Sequence, residues 1–276
     1  SNKDLFVNAP VTSTSGDVSI LGNRDVFQAV TGDVSAGGAG TLDVRARFGS
    51  ITMADIGTDS AFGNTAGGSI RYSAALDVLL GGLNAMAGDV SILATQGSIT
   101  DSGISTLRVS GARLRLIAGA GVGTGSNHLD TTVGRIAVQA AAGGVFVSNS
   151  MALVVDTIAP VSINRVEVLG STAVVSDTVT VTGVVTTSGG GKVVLNTLAG
   201  DLTVSQPVVA HGAGNILLAS ANDMLIQSGV QSTGGNITLK AGQSITQEAA
   251  GDVSTGDGTI DATAIAGSIN MLDGAV

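Results

Sequence analysis

The chain contains no cysteine, which excludes disulfide bonds and thiolate-held metals. It has no tryptophan, one tyrosine and five phenylalanines in 276 residues. A core of this size therefore has few large rings to fill it and must be packed with Val, Ile, Leu and Ala. A narrow core repeated along an axis suits such filling better than one wide core. Charged residues make up only 12%, about half the usual share of roughly 25%, so Ser, Thr, Asn and Gly must carry most of the solubility. The charge present is lopsided, with 12 Lys and Arg against 21 Asp and Glu and a formal net charge of −9. Such a chain has no electrostatic ground for binding nucleic acid or an anionic membrane. No apolar run approaches the about 18 residues of a membrane helix, so no membrane insertion is expected. No basic-then-apolar signal segment opens the sequence, and an export signal, if the protein is exported, is expected outside it.

Glycine is abundant, 41 residues against only 3 prolines, and it is placed regularly rather than as linker. A short unit recurs: Gly, a small or polar residue, then an apolar-polar-apolar triplet. Copies begin at Gly191, Gly214, Gly235 and Gly258, spaced 23, 21 and 23 residues apart. Within each interval a second unit begins eight or nine residues later, at Gly200, Asn222, Gln243 and Gly267. The N-terminal half repeats the beat less evenly, from Gly40, Gly49, Gly68, Gly88, Gly97 and Gly134. The period is thus read as two short strands and a variable return.

Alternation with period two sends successive side chains to opposite faces of a strand. Strands of four or five residues cannot bury an apolar face alone. Stacked coils solve this, each pairing its backbone with the coils above and below. Glycine before each strand is expected to supply positive φ at sharp corners, and Asn, Asp and Ser there to bond backbone or form ladders. No segment shows sustained helical spacing with caps. Hairpin signals of the Asn-Gly or Asp-Gly type are confined to Asp257-Gly258 and Asp273-Gly274, too few for an antiparallel sandwich. The expected fold is all-β, a parallel β-solenoid of about 12 coils of roughly 20–24 residues. It is expected as a single repeat domain over 1–276, less regular at 1–35 and 150–187 and most regular at 188–271.

The run from Gly234 to Gln247, Gly-Gly-Asn-Ile-Thr-Leu-Lys-Ala-Gly-Gln-Ser-Ile-Thr-Gln, resembles the repeats of filamentous haemagglutinin-type secreted exoproteins, as does Gly88 to Thr100. The resemblance implies a right-handed β-helix, export across the outer membrane by a dedicated transporter, and a role in attachment or in spacing a distal domain from the bacterial cell surface. The Asn-Pro-Asn motifs of the secretion domain of such exoproteins are absent. The resemblance therefore points to a central repeat segment.

Candidate sites are few. Gly37 to Asp43 and Gly256 to Asp261 approach a calcium β-roll repeat, but the Asp is misplaced and no tandem copy follows. No metal site and no cofactor are expected. Polysaccharide-cleaving β-helices need paired carboxylates in a groove; Asp77, Asp89 and Asp101 lie 12 residues apart, as do Asp43 and Asp55, which is half a coil rather than a column. Only Tyr72 could line a sugar groove, and no catalytic residue is assigned. All nine arginines precede position 166. Arg113 and Arg115 alternate with Leu114 and Leu116 and so share an outward face. With Arg135 and His128, the latter in the loop-like run 119–132, they are the candidate ligand contacts. The phenylalanines are expected to fill wide coils or a cap. The function expected is a non-enzymatic structural or adhesive segment. It would display loops such as 119–132 and 157–165 on a stiff rod to a host or cell-surface glycan or matrix protein. A carbohydrate-active β-helix and a calcium-dependent β-roll module are the alternatives.

Overall fold

The computed structural model describes residues 3–54, 63–103 and 109–275; Asp55, Phe62 and Arg108 lie outside them. Among the described residues every helix or strand is a strand. The strands stack in parallel as a β-solenoid of about 11 turns. The count falls below the expected 12 because residues 157–182, about one coil's worth, leave the stack in antiparallel strands. The chain divides into two compact units, Ser1–Gly119 with Ala159–Thr180, and Ala120–Ile158 with Val181–Val276.

The second unit shows the coil most plainly. Val193–Thr197, Leu202–Val204 and Val208–Ala210 form one turn. Ile216–Ser220, Met224–Ile226 and Val230–Ser232 form the next. The return expected to be variable is thus a third strand, three residues long. Identical positions pair from coil to coil, as in Val193–Ile216–Ile237 and Val208–Val230–Val253. Their side chains point inward and are fully or nearly fully buried. Ile260 continues the first of these columns and Ile269 the column Leu202–Met224–Ile245, yet they are 49% and 46% exposed, because among the described residues no coil stacks on them.

Glycine at the strand entry has a different cause from the one expected. Gly191, Gly214, Gly235 and Gly258 all have ordinary φ; of the unit glycines named above, only Gly200 is left-handed, at +76°. A Cβ on Gly214 would overlap the carbonyl of Gly191, one on Gly235 that of Gly214, and one on Gly258 that of Gly235. The ladder is glycine because the backbones of neighbouring coils touch there. Hydroxyls tie the same corner. Ser232 Oγ donates to Gly214 O at 2.7 Å and accepts from Gly235 N at 2.8 Å. Asparagine does the same one step on: Asn215 Oδ1 accepts from Asn236 N, and Asn236 Oδ1 from Thr259 N. The expected corner ladders therefore run between coils, each side chain satisfying a backbone N–H of the next.

In the first unit the columns run Val18–Leu42–Ile70–Val90–Leu114 and Val26–Ile51–Val78–Ile99. One set of polar groups in this core closes on itself. Asn64 and Gln28 exchange amide hydrogen bonds at 2.6 and 2.8 Å, Asn64 Oδ1 accepts from Val34 N, and Asn64 Nδ2 donates to the Tyr72 hydroxyl. Burial raises the Tyr72 phenol well above its usual pKa. The described phenylalanines do not fill the coils. Phe27 and Phe146 alternate with buried neighbours and face outward, Phe6 stacks on Phe27, and Phe6 and Phe48 are exposed.

The segment expected as the displayed loop 157–165 is built differently. Thr157–Ile158 pairs antiparallel with Val181–Thr182 in the second unit. Ser162–Val166 and Thr172–Ser176 form an antiparallel hairpin belonging to the first unit. The run 119–132 holds strand at its two sides, Gly121–Val122 and the start of Leu129–Ala140, around a turn closed by Thr124 and Asn127.

Candidate functional site

The outer face of the first-unit strands Val18–Gly22, Leu42–Ala46, Ile70–Ala74, Asp89–Ala94 and Val109–Ala118 carries a registered column: Ser19, Asp43, Arg71, Ser91 and Arg115. The hairpin lies over it. Val166 N donates to Ser19 Oγ at 2.9 Å, and Arg165 Nε to Asp43 Oδ2 at 2.6 Å. Arg71 bridges the two layers, with Nη1 on Asp43 at 3.2 Å and Nε on Asp177 at 3.0 Å. Arg115 Nη1 reaches Asp177 at 3.3 Å and Ser91 at 3.1 Å, while Nη2 donates to Val179 O at 2.7 Å. Asp43 has no exposed surface. Three guanidiniums thus face two carboxylates in a nearly dry layer, a satisfied network of the kind that fixes one arrangement of its parts.

This geometry changes the standing of the sequence candidates. Arg115 points out of its coil, as its alternation requires, but is only 1% exposed beneath the hairpin. Arg113 is held by Asp89, its register neighbour, through Nε at 2.8 Å. Arg135 is paired with Asp156. His128 is half-buried in the second unit, with Nδ1 3.1 Å from Ser148 Oγ and its ring tilted on Phe146; burial lowers its pKa below the ordinary imidazole value. Each of these four residues thus has a partner of its own within its unit. Tyr72 is in the core and lines no groove. Asp77 caps Ser98 N at 2.7 Å. Among the described residues no group of three His, Cys, Asp or Glu could hold a metal ion.

The arginines that stand out are Arg45 and Arg47. Every other described arginine has a carboxylate within ion-pair distance. Arg45 is registered between Leu21 and Ser73, neither of which can pair with it. Its guanidinium is partly buried, and that burial, followed by the like charges of Arg165 and Arg71, pulls its pKa down. It remains a cation, because arginine does not deprotonate in proteins. Arg47 is exposed and lies 4.9 Å over the Phe48 ring. Together with Leu21, Gly22 and Asn23 the two line a shallow groove of about 190 Å³. The excess guanidinium of the neighbouring network adds to a local positive field in a chain that is negative overall.

Compared with protein-family models, with curated proteins and with solved structures, the chain matches none of them.

Proposed function

We propose that the chain is a structural and adhesive segment of a large secreted bacterial surface protein of the filamentous haemagglutinin type. On this reading the solenoid is a stiff scaffold that holds a binding surface away from the cell, and the Arg45–Arg47 groove is that surface. The observation that carries the reading is the pair of guanidiniums that have no carboxylate partner among the described residues, on an otherwise apolar and amide wall. Two such forks match the oxygens of a carboxylate or sulfate ester. Leu21 and the Phe48 ring offer apolar surface to the face of a sugar. The groove is smaller than the roughly 300–1,000 Å³ of enclosed small-molecule sites, which suits one residue of a chain passing over the surface. The ligand class is an acidic glycan on a host or cell surface, with matrix protein the other candidate. In the full-length protein an outer-membrane transporter would deliver the segment, and no cofactor takes part.

Binding to an immobilised uronate-bearing polysaccharide tests the reading. Arg45→Gln with Arg47→Gln should weaken it at least about tenfold, since each charge-assisted hydrogen bond is worth about 1.5–3 kcal/mol. Arg113→Gln should leave it unchanged. Binding indifferent to Arg45 and Arg47 would refute the assignment of the groove.

A further inference from the structure

The hairpin has two edges, and among the described residues only one is occupied. Hydrogen bonds from Asp177 N to Val161 O and from Glu167 N to Ser171 O close its ladder at both ends. In an antiparallel pair, bonded and non-bonded residues alternate. The peptide groups of Ile163, Arg165, Ala173 and Val175 therefore face each other, and those at 162, 164, 166, 172, 174 and 176 point away. On the inner strand these outward groups are used. Asn164 N donates to Thr41 Oγ1 at 2.8 Å, Asn164 O accepts from the same hydroxyl, and Val166 N donates to Ser19 Oγ. On the outer strand Thr172, Val174 and Ser176 have no backbone partner among the described residues.

That edge lacks the usual protections. Native edges are blunted by lysine, proline, bulges or covering loops. The run Ser171-Thr172-Ala173-Val174-Val175-Ser176 contains no charge, no proline and no glycine. It also stands clear of the solenoid: Val174 is 73% exposed, and Val168 and Leu169 at the turn are 99% and 94% exposed.

We infer that the outer hairpin strand is a self-association edge that pairs antiparallel with the same strand of a second copy of this chain. A twofold axis at Val174 sets Val174 against itself and Thr172 against Ser176, each pair exchanging its outward peptide bonds. A second copy fits because the register is self-complementary. It places β-branched and hydroxyl side chains opposite one another and no like charges, which matters for a chain of net charge −9. The same register brings exposed Leu169 of each copy towards Val179 of the other. So short an edge buries well under the about 1,200 Å² of a standard interface, so the dimer is weak, with a dissociation constant of micromolar or above.

The absence of cysteine gives a direct test. Val174→Cys introduces a single thiol, and the paired geometry holds the two Cα atoms about 5.5 Å apart, within disulfide reach. Under mild oxidation it should form a disulfide dimer at least about tenfold faster than Phe48→Cys. Sedimentation of the cysteine-free chain over a concentration series should show reversible dimerisation. Val174→Pro removes an outward N–H without touching the hairpin's own ladder and should shift the midpoint at least about tenfold upward, with circular dichroism unchanged. A chain that stays monomeric throughout the series overturns the proposal. So does dimerisation that survives Val174→Pro but is lost in Ile269→Lys, which would place the contact on the exposed coil at Ile260 and Ile269.

Discussion

Asp177 lies 106 residues beyond Arg71 in the chain, yet its Oδ1 sits 3.0 Å from Arg71 Nε in a layer almost closed to water. The same carboxylate also receives Arg115. Asp177→Asn would leave both guanidiniums facing a neutral amide. One-sided removal of a buried ion-pair partner costs about 3–5 kcal/mol. The first unit should lose about that much stability in urea, and the hairpin should loosen first. Arg165 should then be cut by trypsin markedly faster than in the parent. Unchanged cleavage would mean that Asp177 does not hold the hairpin down.

The glycine ladder makes a paired prediction. Gly235→Ala forces a Cβ against the carbonyl of Gly214, an overpacking with backbone on both sides that costs about 1–3 kcal/mol. Gly229→Ala is the control: its φ is ordinary, and the added carbon would meet nothing closer than 3.8 Å. It should be neutral, or stabilising by about 0.4–1 kcal/mol through the unfolded chain. Equal effects at the two sites would remove the close-approach explanation.

How much of this was legible in the sequence follows from how far each signal reaches. The period at 191, 214, 235 and 258 revealed the parallel stacking, because glycine recurs at a corner where successive coils touch. The third strand was hidden: Val208–Ala210 and Val230–Ser232 are only three residues long, and no common residue marks their start, Pro207 before one and Gly229 before the other. Alternation placed Arg115 outward correctly but could not see a hairpin laid over it, since the covering residues Asp177 and Val179 are more than 60 positions away. The Arg45–Arg47 groove did leave a trace. Arg113 and Arg135 have an acid one coil away, at Asp89 and Asp156. The register places Leu21 and Ser73 beside Arg45 instead. Reading that trace needs the register, which the uneven N-terminal spacing blurs.

His128 predicts a pH dependence. Burial lowers its pKa in the folded chain, whereas an unfolded imidazole titrates near about 6.5. Between the two values the unfolded chain binds the extra proton, so stability rises with pH. The contribution of neutral His128 is present above about pH 6.5 and is lost as pH falls towards its folded pKa. Urea midpoints for the second unit should therefore drop on going from about pH 7.5 to about 5.5, and His128→Gln should show a smaller drop. An identical drop in the variant would assign the effect elsewhere.

Glycan binding through two guanidiniums at a half-open surface should weaken steeply with salt, because screening at about 1 M reaches into about 3 Å. The hairpin network, almost dry, should be far less sensitive. Raising the ionic strength should thus release ligand while trypsin resistance at Arg165 persists. Loss of both together would show that the network is wetter than its geometry implies.

The most direct measurement is binding of the chain to an array of acidic and neutral glycans and matrix proteins, with soluble products from incubated polysaccharides assayed alongside. The account predicts saturable binding to uronate- or sulfate-bearing glycans, no released product, and loss of binding in the Arg45→Gln, Arg47→Gln variant. Release of cleaved sugar, or no binding anywhere on the array, would contradict it.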